Sequence, residues 1–511
     1  MPRASPHAQE DHRMHHRLSV TLATAAAAAL TGGLLAVATA PASAAGAAKA
    51  YDFNGDGYRD LAIGVKSGTA GGKKGAGYIA VVPGSAKGPK TSARYTVSQS
   101  TSGIPGTSET DDFFGSRITS ADLNSDGYAD LVVTAPGEDA STSEDTGRIT
   151  ILWSGPRGFT RGTVLKGSML YGGTGFAGLA VADVNGDGKS DIVTADRGDE
   201  TSGVSVARGP FAPGTTPAPL TYVTGAGIPH FTGYIRLAVG DIDGDGRTDV
   251  AAAYNGLEGG GTTYLRGTST GLVRADSWYG ETTGNTVAVG DFDKDGYADL
   301  ALGNAAFGAQ DTEEPWVPQH PLPTRKGGVV RVLYGSAQGP AATRPPVDLV
   351  QGTGGVPGTD ETDDRFGNTL SAADVNGDGA ADLAIGAPGE DIGAAVNTGN
   401  VTVLRGSGTG LTTTGAQTFN QGTAGVPGSN ETADSFGGFN GYGIFLRDLN
   451  GDGRADLSVA APGEDGNNGR VWTLTAGASG PTGTGAVSFT AGTLALPAPT
   501  TGLAFGSVLG Y

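Results

Sequence analysis

Apolar residues along this chain come in short runs bounded by Gly, Pro, Asp or Asn, as in Leu61–Val65, Ile79–Val82, Leu131–Val133, Ile149–Trp153, Val329–Leu333 and Val401–Leu404. No helical 3.6-residue period competes with them, so they predict short strands joined by tight turns. One stretch differs. Arg13 and Arg17 precede an apolar segment, Leu18–Ala40, which ends in Pro41-Ala42-Ser43-Ala44. This pattern predicts a secretory signal over 1–44, cleaved after Ala44, with Met14 as an alternative start. The remaining 45–511 form the predicted globular region and leave the cell.

The strands are organised by a repeat. A nine-residue loop recurs seven times: 52–60, 122–130, 183–191, 241–249, 291–299, 374–382 and 448–456. Oxygen-bearing side chains stand at positions 1, 3, 5 and 9, and position 6 is always Gly. The seven sets, with position 7 included, begin with Asp52, Asn54, Asp56, Tyr58 and Asp60. The second and third are Asp122, Asn124, Asp126, Tyr128, Asp130, and Asp183, Asn185, Asp187, Lys189, Asp191. The fourth and fifth are Asp241, Asp243, Asp245, Arg247, Asp249, and Asp291, Asp293, Asp295, Tyr297, Asp299. The last two are Asp374, Asn376, Asp378, Ala380, Asp382, and Asp448, Asn450, Asp452, Arg454, Asp456.

Ca²⁺ takes about 6–8 hard oxygen ligands. Alternate residues of a tight loop can supply them, with position 7 giving its carbonyl and position 9 closing the site, bidentately if needed. These loops are therefore predicted to be metal sites, with Ca²⁺ as the cofactor and up to seven ions per chain. An EF-hand would close at position 12, but apolar or small residues stand there, from Ile63 to Val459. The residues after each loop are strand-like, so the loop joins two strands. A metal-free Asx turn would crowd three or four carboxylates together uncompensated.

Longer signatures flank the loops. Phe-Gly pairs stand upstream at 114–115, 366–367 and 436–437, and Ala-Pro-Gly-Glu-Asp stands downstream at 135–139, 387–391 and 461–465. These units resemble FG-GAP repeats, which build the seven-bladed propeller of integrin α subunits. The resemblance covers nearly all of 45–511. It is sharpest in units two, six and seven; units three to five keep the loop but lose the flanking signatures. It implies an all-β seven-bladed β-propeller with four strands per blade. The first unit has no Phe-Gly pair before Asp52, and the chain closes with Phe505-Gly506. The C-terminal strand is therefore expected to complete the first blade.

Composition narrows the function. The chain has 511 residues, 90 Gly, no Cys and a formal charge of -19. Disulfides and cysteine chemistry are excluded, and nucleic acid is disfavoured as a partner for want of a basic face. Beyond the leader no run reaches the length of a membrane span. After cleavage only His230 and His320 remain, which disfavours a Ser-His-Asp hydrolase. Two carboxylates suffice for a glycosidase, so a polysaccharide-active enzyme or other hydrolase stays open beside the leading reading. That reading is a secreted, monomeric adhesion module binding a protein or glycan.

The loops join first to second strands, so all seven should share one face. The resemblance implies that ligand binds the opposite face. Three features fall there: Gly-Ile/Val-Pro-Gly stretches at 103–106, 355–358 and 425–428, an insertion at 307–326 with Trp316 and His320, and Arg197-Gly198-Asp199. The first reads as turn scaffolding.

Overall fold

The computed structural model describes residues 47–139, 147–165, 176–196, 202–228, 232–256, 259–279, 286–305, 326–438 and 442–510. The predicted leader, His230, Arg197-Gly198-Asp199, Trp316 and His320 lie outside the described residues. Ala44–Tyr511 form one compact unit.

Seven antiparallel blade sheets succeed one another along the chain, the strands of each pairing in sequence order, and a small hairpin, Ala476–Gly477 with Gly480–Pro481, forms a sheet of its own. The inner strands of blades two to seven are Ile118–Ala121, Phe176–Ala182, Thr232–Gly240, Thr286–Gly290, Thr369–Ala373 and Ile444–Arg447. Each leads into a nine-residue loop and then into the blade's second strand, which starts at or just after the loop's last Asp. The second strands are the continuous apolar runs of the sequence. Leu61–Val65, Asp130–Ala135, Asp382–Ala387 and Asp456–Ala461 are buried at every position, as strands covered on both faces must be. The outer strands are wetter: Thr412–Phe419 is only partly buried.

Side chains fill every junction between neighbouring blades. Six clusters join blades two and three, three and four, four and five, five and six, six and seven, and seven through one to two. The chain is thus a seven-bladed β-propeller. Its described helical turns are short, and no described helix is long and apolar enough to cross a membrane.

Closure takes the predicted route. Blade one contributes Leu61–Val65, Tyr78–Val82 and Tyr95–Val97. Its fourth strand comes from the C-terminus: Leu509 bridges Ile63, the Gly64 N–H donates to the Val508 carbonyl at 2.9 Å, and the Gly510 N–H donates to the Ala62 carbonyl at 3.1 Å. Phe505 plays the part of the other Phe-Gly phenylalanines. The N–H groups of Phe114, Phe366 and Phe436 donate to Ala76, Gly327 and Thr398 of the preceding blade, and that of Phe505 donates to Asn468 of blade seven. All four rings are buried. The glycine after each ring has positive φ, 94° at Gly115 and 92° at Gly506, a conformation that Gly alone adopts without steric cost.

Candidate metal centres in the seven loops

The loops share one hydrogen-bond frame. In the first, the Asp52 carboxylate accepts the N–H groups of Asp56 and Gly57 at 3.1 and 2.9 Å, and Asn54 Oδ1 accepts the Asp56 N–H at 2.8 Å. Asp56 Oδ1 accepts the Tyr58 N–H at 3.0 Å. The bonds from position 6 to position 1 and from position 7 to position 5 recur in all seven loops. The frame fixes side-chain oxygens of positions 1, 3 and 5 through hydrogen bonds from the loop's own amides. The turn needs left-handed backbone at position 6, where Gly57 has φ 89°.

Position 9 does more than close the loop. All seven of these Asp residues are buried. One carboxylate oxygen accepts the N–H of position 2, and the other accepts an N–H at the exit of the blade's third strand. For Asp60 the donors are Phe53 and Gly84, at 3.1 and 2.9 Å; for Asp382 they are Val375 and Gly406, both at 2.8 Å. The other five repeat the pattern. A bidentate grip on a cation would have to share these oxygens. Burial pushes Asp60, Asp130, Asp299 and Asp456 up to about 7, against the backbone hydrogen bonds that pull the other way.

The donor set fits a hard divalent cation. In blades four and five, where position 3 is Asp, oxygens of Asp241, Asp243 and Asp249, and of Asp291, Asp293 and Asp299, lie within 4.8 Å of one another. The chain also compensates the extra carboxylate in these two loops: Arg266 pairs with Asp243, and Arg344 pairs with Asp293 at 3.1 Å.

Position 7 has a second use that its varied side chains concealed. A Cβ placed on Gly55 would lie 2.8 Å from Tyr128 of the next loop, and one on Gly451 would lie 2.9 Å from Tyr58. The position-7 side chain lies over the position-4 glycine of the preceding loop. Where position 7 is Ala380, the preceding position 4 is Lys294, whose Nζ donates to the Asp378 carbonyl at 2.5 Å. Backbone bonds reinforce these contacts: the N–H groups of Ala129, Thr248, Ala298, Ala381 and Ala455 donate to the position-1 carbonyls of Asp52, Asp183, Asp241, Asp291 and Asp374. The loops are therefore linked around the ring.

The Pro-Gly stretches on the other face are scaffolding. Each sits beside a buried Gln that donates to a buried Glu: Gln99 to Glu138, Gln351 to Glu390 at 2.7 Å, and Gln421 to Glu464. The acids just downstream cap their own turns, Asp112, Asp364 and Asp434 accepting the N–H groups of Glu109, Glu361 and Glu431.

The FG-GAP repeat family matches residues 43–82, 114–152, 283–317, 366–404 and 440–474. This is an FG-GAP repeat protein. The matches span the loops of blades one, two, five, six and seven, so the fifth repeat is recognisable despite its faint flanking signatures. Over 172 residues the chain is 28% identical to mouse phosphatidylinositol-glycan-specific phospholipase D, covering 34% of this chain and 17% of that protein. Over 151 residues it is 30% identical to human integrin alpha-10, covering 28% of this chain and 13% of that protein. The chain thus spans less than a fifth of these relatives' length. A solved structure of a functionally unknown protein from Desulfotomaculum acetoxidans matches 86% of this chain and 97% of its own, at 10% identity and a TM-score of 0.41.

Proposed function

We propose that this FG-GAP repeat protein is a secreted, monomeric, calcium-stiffened ligand-binding module, which attaches to a protein or glycan through the face opposite the loops. The observation that carries the reading is the loop frame repeated seven times, with carboxylate oxygens converging in blades four and five. Positions 1, 3 and 5, the carbonyl of position 7 and the position-9 carboxylate would hold each ion. Bound Ca²⁺ supplies charge compensation. The chain's own part is to orient the oxygens and, through the position-7 and position-8 contacts, to transmit local order from blade to blade. The loops hold 23 of the 52 acidic residues. With 1–44 removed the formal charge is -20, and seven Ca²⁺ would bring it to -6.

A binding role is favoured over catalysis by what lines the propeller axis. The acids among those residues are Asp374 and Asp448, both position-1 residues committed to their loops. A glycan array and a pull-down with calcium-loaded protein test the reading, and a retained ligand lost on chelation supports it. Turnover of a polysaccharide without retention would replace it with the enzyme.

A further inference from the structure

A cavity of about 640 Å³ runs along the propeller axis, within the usual size range of small-ligand sites. Its wall is built from the inner strands. Small side chains such as Ala180, Ala238, Ala288 and Ala372 leave the room. At the far end it is stoppered. Ile118, Leu179, Leu237, Val287 and Leu370 narrow the axis to a space of about 10 Å³, no more than one water needs. There the guanidinium carbons of Arg117 and Arg236 each lie 4.3 Å from the centre of the Tyr442 ring. Entry is therefore from the loop face, where Asp374, Asp448 and Gly453 form the rim.

The rim carboxylates Asp374 and Asp448 are already engaged at both oxygens by amides of their own loops; Arg447, Arg59, Ser120 and Ser371, which line the same cavity, are donors. Arg447, the last residue of the blade-seven inner strand, has its guanidinium carbon 5.1 Å from the Tyr51 ring centre and 4.9 Å from that of Phe445. Among the described residues it has no carboxylate or hydrogen-bond acceptor. Arg59 lines the same wall, its Nη1 reaching the Ala50 carbonyl only at 3.5 Å. Ser120 Oγ and Ser371 Oγ also line it; they accept the N–H groups of Tyr51 and Leu446 at 2.9 and 3.0 Å. Among the described residues neither hydroxyl donates a hydrogen bond, so each keeps its proton to offer. Two guanidiniums and two hydroxyl donors in one cavity call for an acceptor-rich, negatively charged occupant.

We propose that the axial cavity is a binding site for a small hydroxylated oxyanion, a sugar acid or sulfated sugar, with Arg447 as its anchor. It is separate from the far-face ligand and does not depend on it. Arg447 takes the planar or tetrahedral head through paired N–H donors, Ser120 and Ser371 donate to hydroxyl or ring oxygens, and the alanines accept the apolar edge of the ring.

The test is calorimetric titration of the full chain with glucuronate, glucose 6-sulfate and neutral glucose, in calcium and again in chelator. Running both buffers keeps a failure of calcium binding distinguishable from a failure of this site. One or both acids should bind, and glucose should bind at least tenfold more weakly. Arg447→Gln should remove at least tenfold of the acid's affinity. Ala372→Leu, which fills the cavity while keeping every donor, should abolish binding with the melting curve retained. Arg117→Gln, at the stoppered end, should leave affinity unchanged. Failure of both acids to bind in either buffer, or binding that survives Ala372→Leu, would overturn the proposal.

Discussion

Removing Phe505–Tyr511 should unfold far more than the seven residues deleted. Phe505, Val508 and Leu509 are 1%, 2% and 2% exposed. Burying each such side chain contributes roughly 1.5–3 kcal/mol, or about 5–9 kcal/mol together. The backbone bonds from Gly64 and Gly510 add about 1 kcal/mol each. The sum approaches the roughly 5–15 kcal/mol that stabilises a whole domain. The cut also exposes the edge of blade one and the flank of blade seven where Phe505 docks. Phe505→Ala alone should cost about 3–5 kcal/mol through the cavity it leaves. Urea unfolding and thermal melting of both variants beside the intact chain would measure this. A truncated chain that melts within about 2 °C of the intact one would refute closure by the C-terminal strand.

Asp382→Ala leaves the Val375 and Gly406 N–H groups buried without their acceptor; urea unfolding should show a loss of about 2–6 kcal/mol, even in chelator. Tyr128→Ala should cost about 1 kcal/mol by uncovering Gly55, with the loss read from the same unfolding midpoints. Burial pushes Glu464 and Asp364 up to about 7 and Asp434 up to about 6. A carboxyl raised in the folded state contributes stability that is complete below about pH 4 and lost as pH rises through 6 to 7. Chelated protein should therefore unfold at higher urea at pH 5 than at pH 8, and Glu464→Gln should flatten that difference. Greater stability at pH 8 would contradict the assignment.

Much of this was legible in the sequence because the information is local. A loop that needs Gly at position 6 and oxygens at alternate positions writes its own signature seven times, and continuous apolar runs such as Leu61–Val65 announce buried middle strands. Closure was legible too, from a Phe-Gly pair missing before Asp52 and present at Phe505. The features that stayed hidden depend on neighbours distant in sequence. Position 7 looked free to vary because its partner, the position-4 residue of the previous loop, lies 53–86 residues back in the chain for loops two to seven; only the pair Lys294 with Ala380, against Gly55 with Tyr128, betrays the exchange. The closing Asp gave no sign that both its oxygens would be engaged by amides of its own blade. Nor could a lone arginine at 447 be seen to line an axis formed by seven strands.

Calcium content decides the central reading most directly. Protein stripped by chelation, returned to calcium and freed of excess should carry several Ca²⁺ per chain by elemental analysis, up to seven, and should melt at a markedly higher temperature than the stripped form, since metal held only by the folded state stabilises it by mass action. A chain that binds no calcium and melts identically in chelator would contradict it.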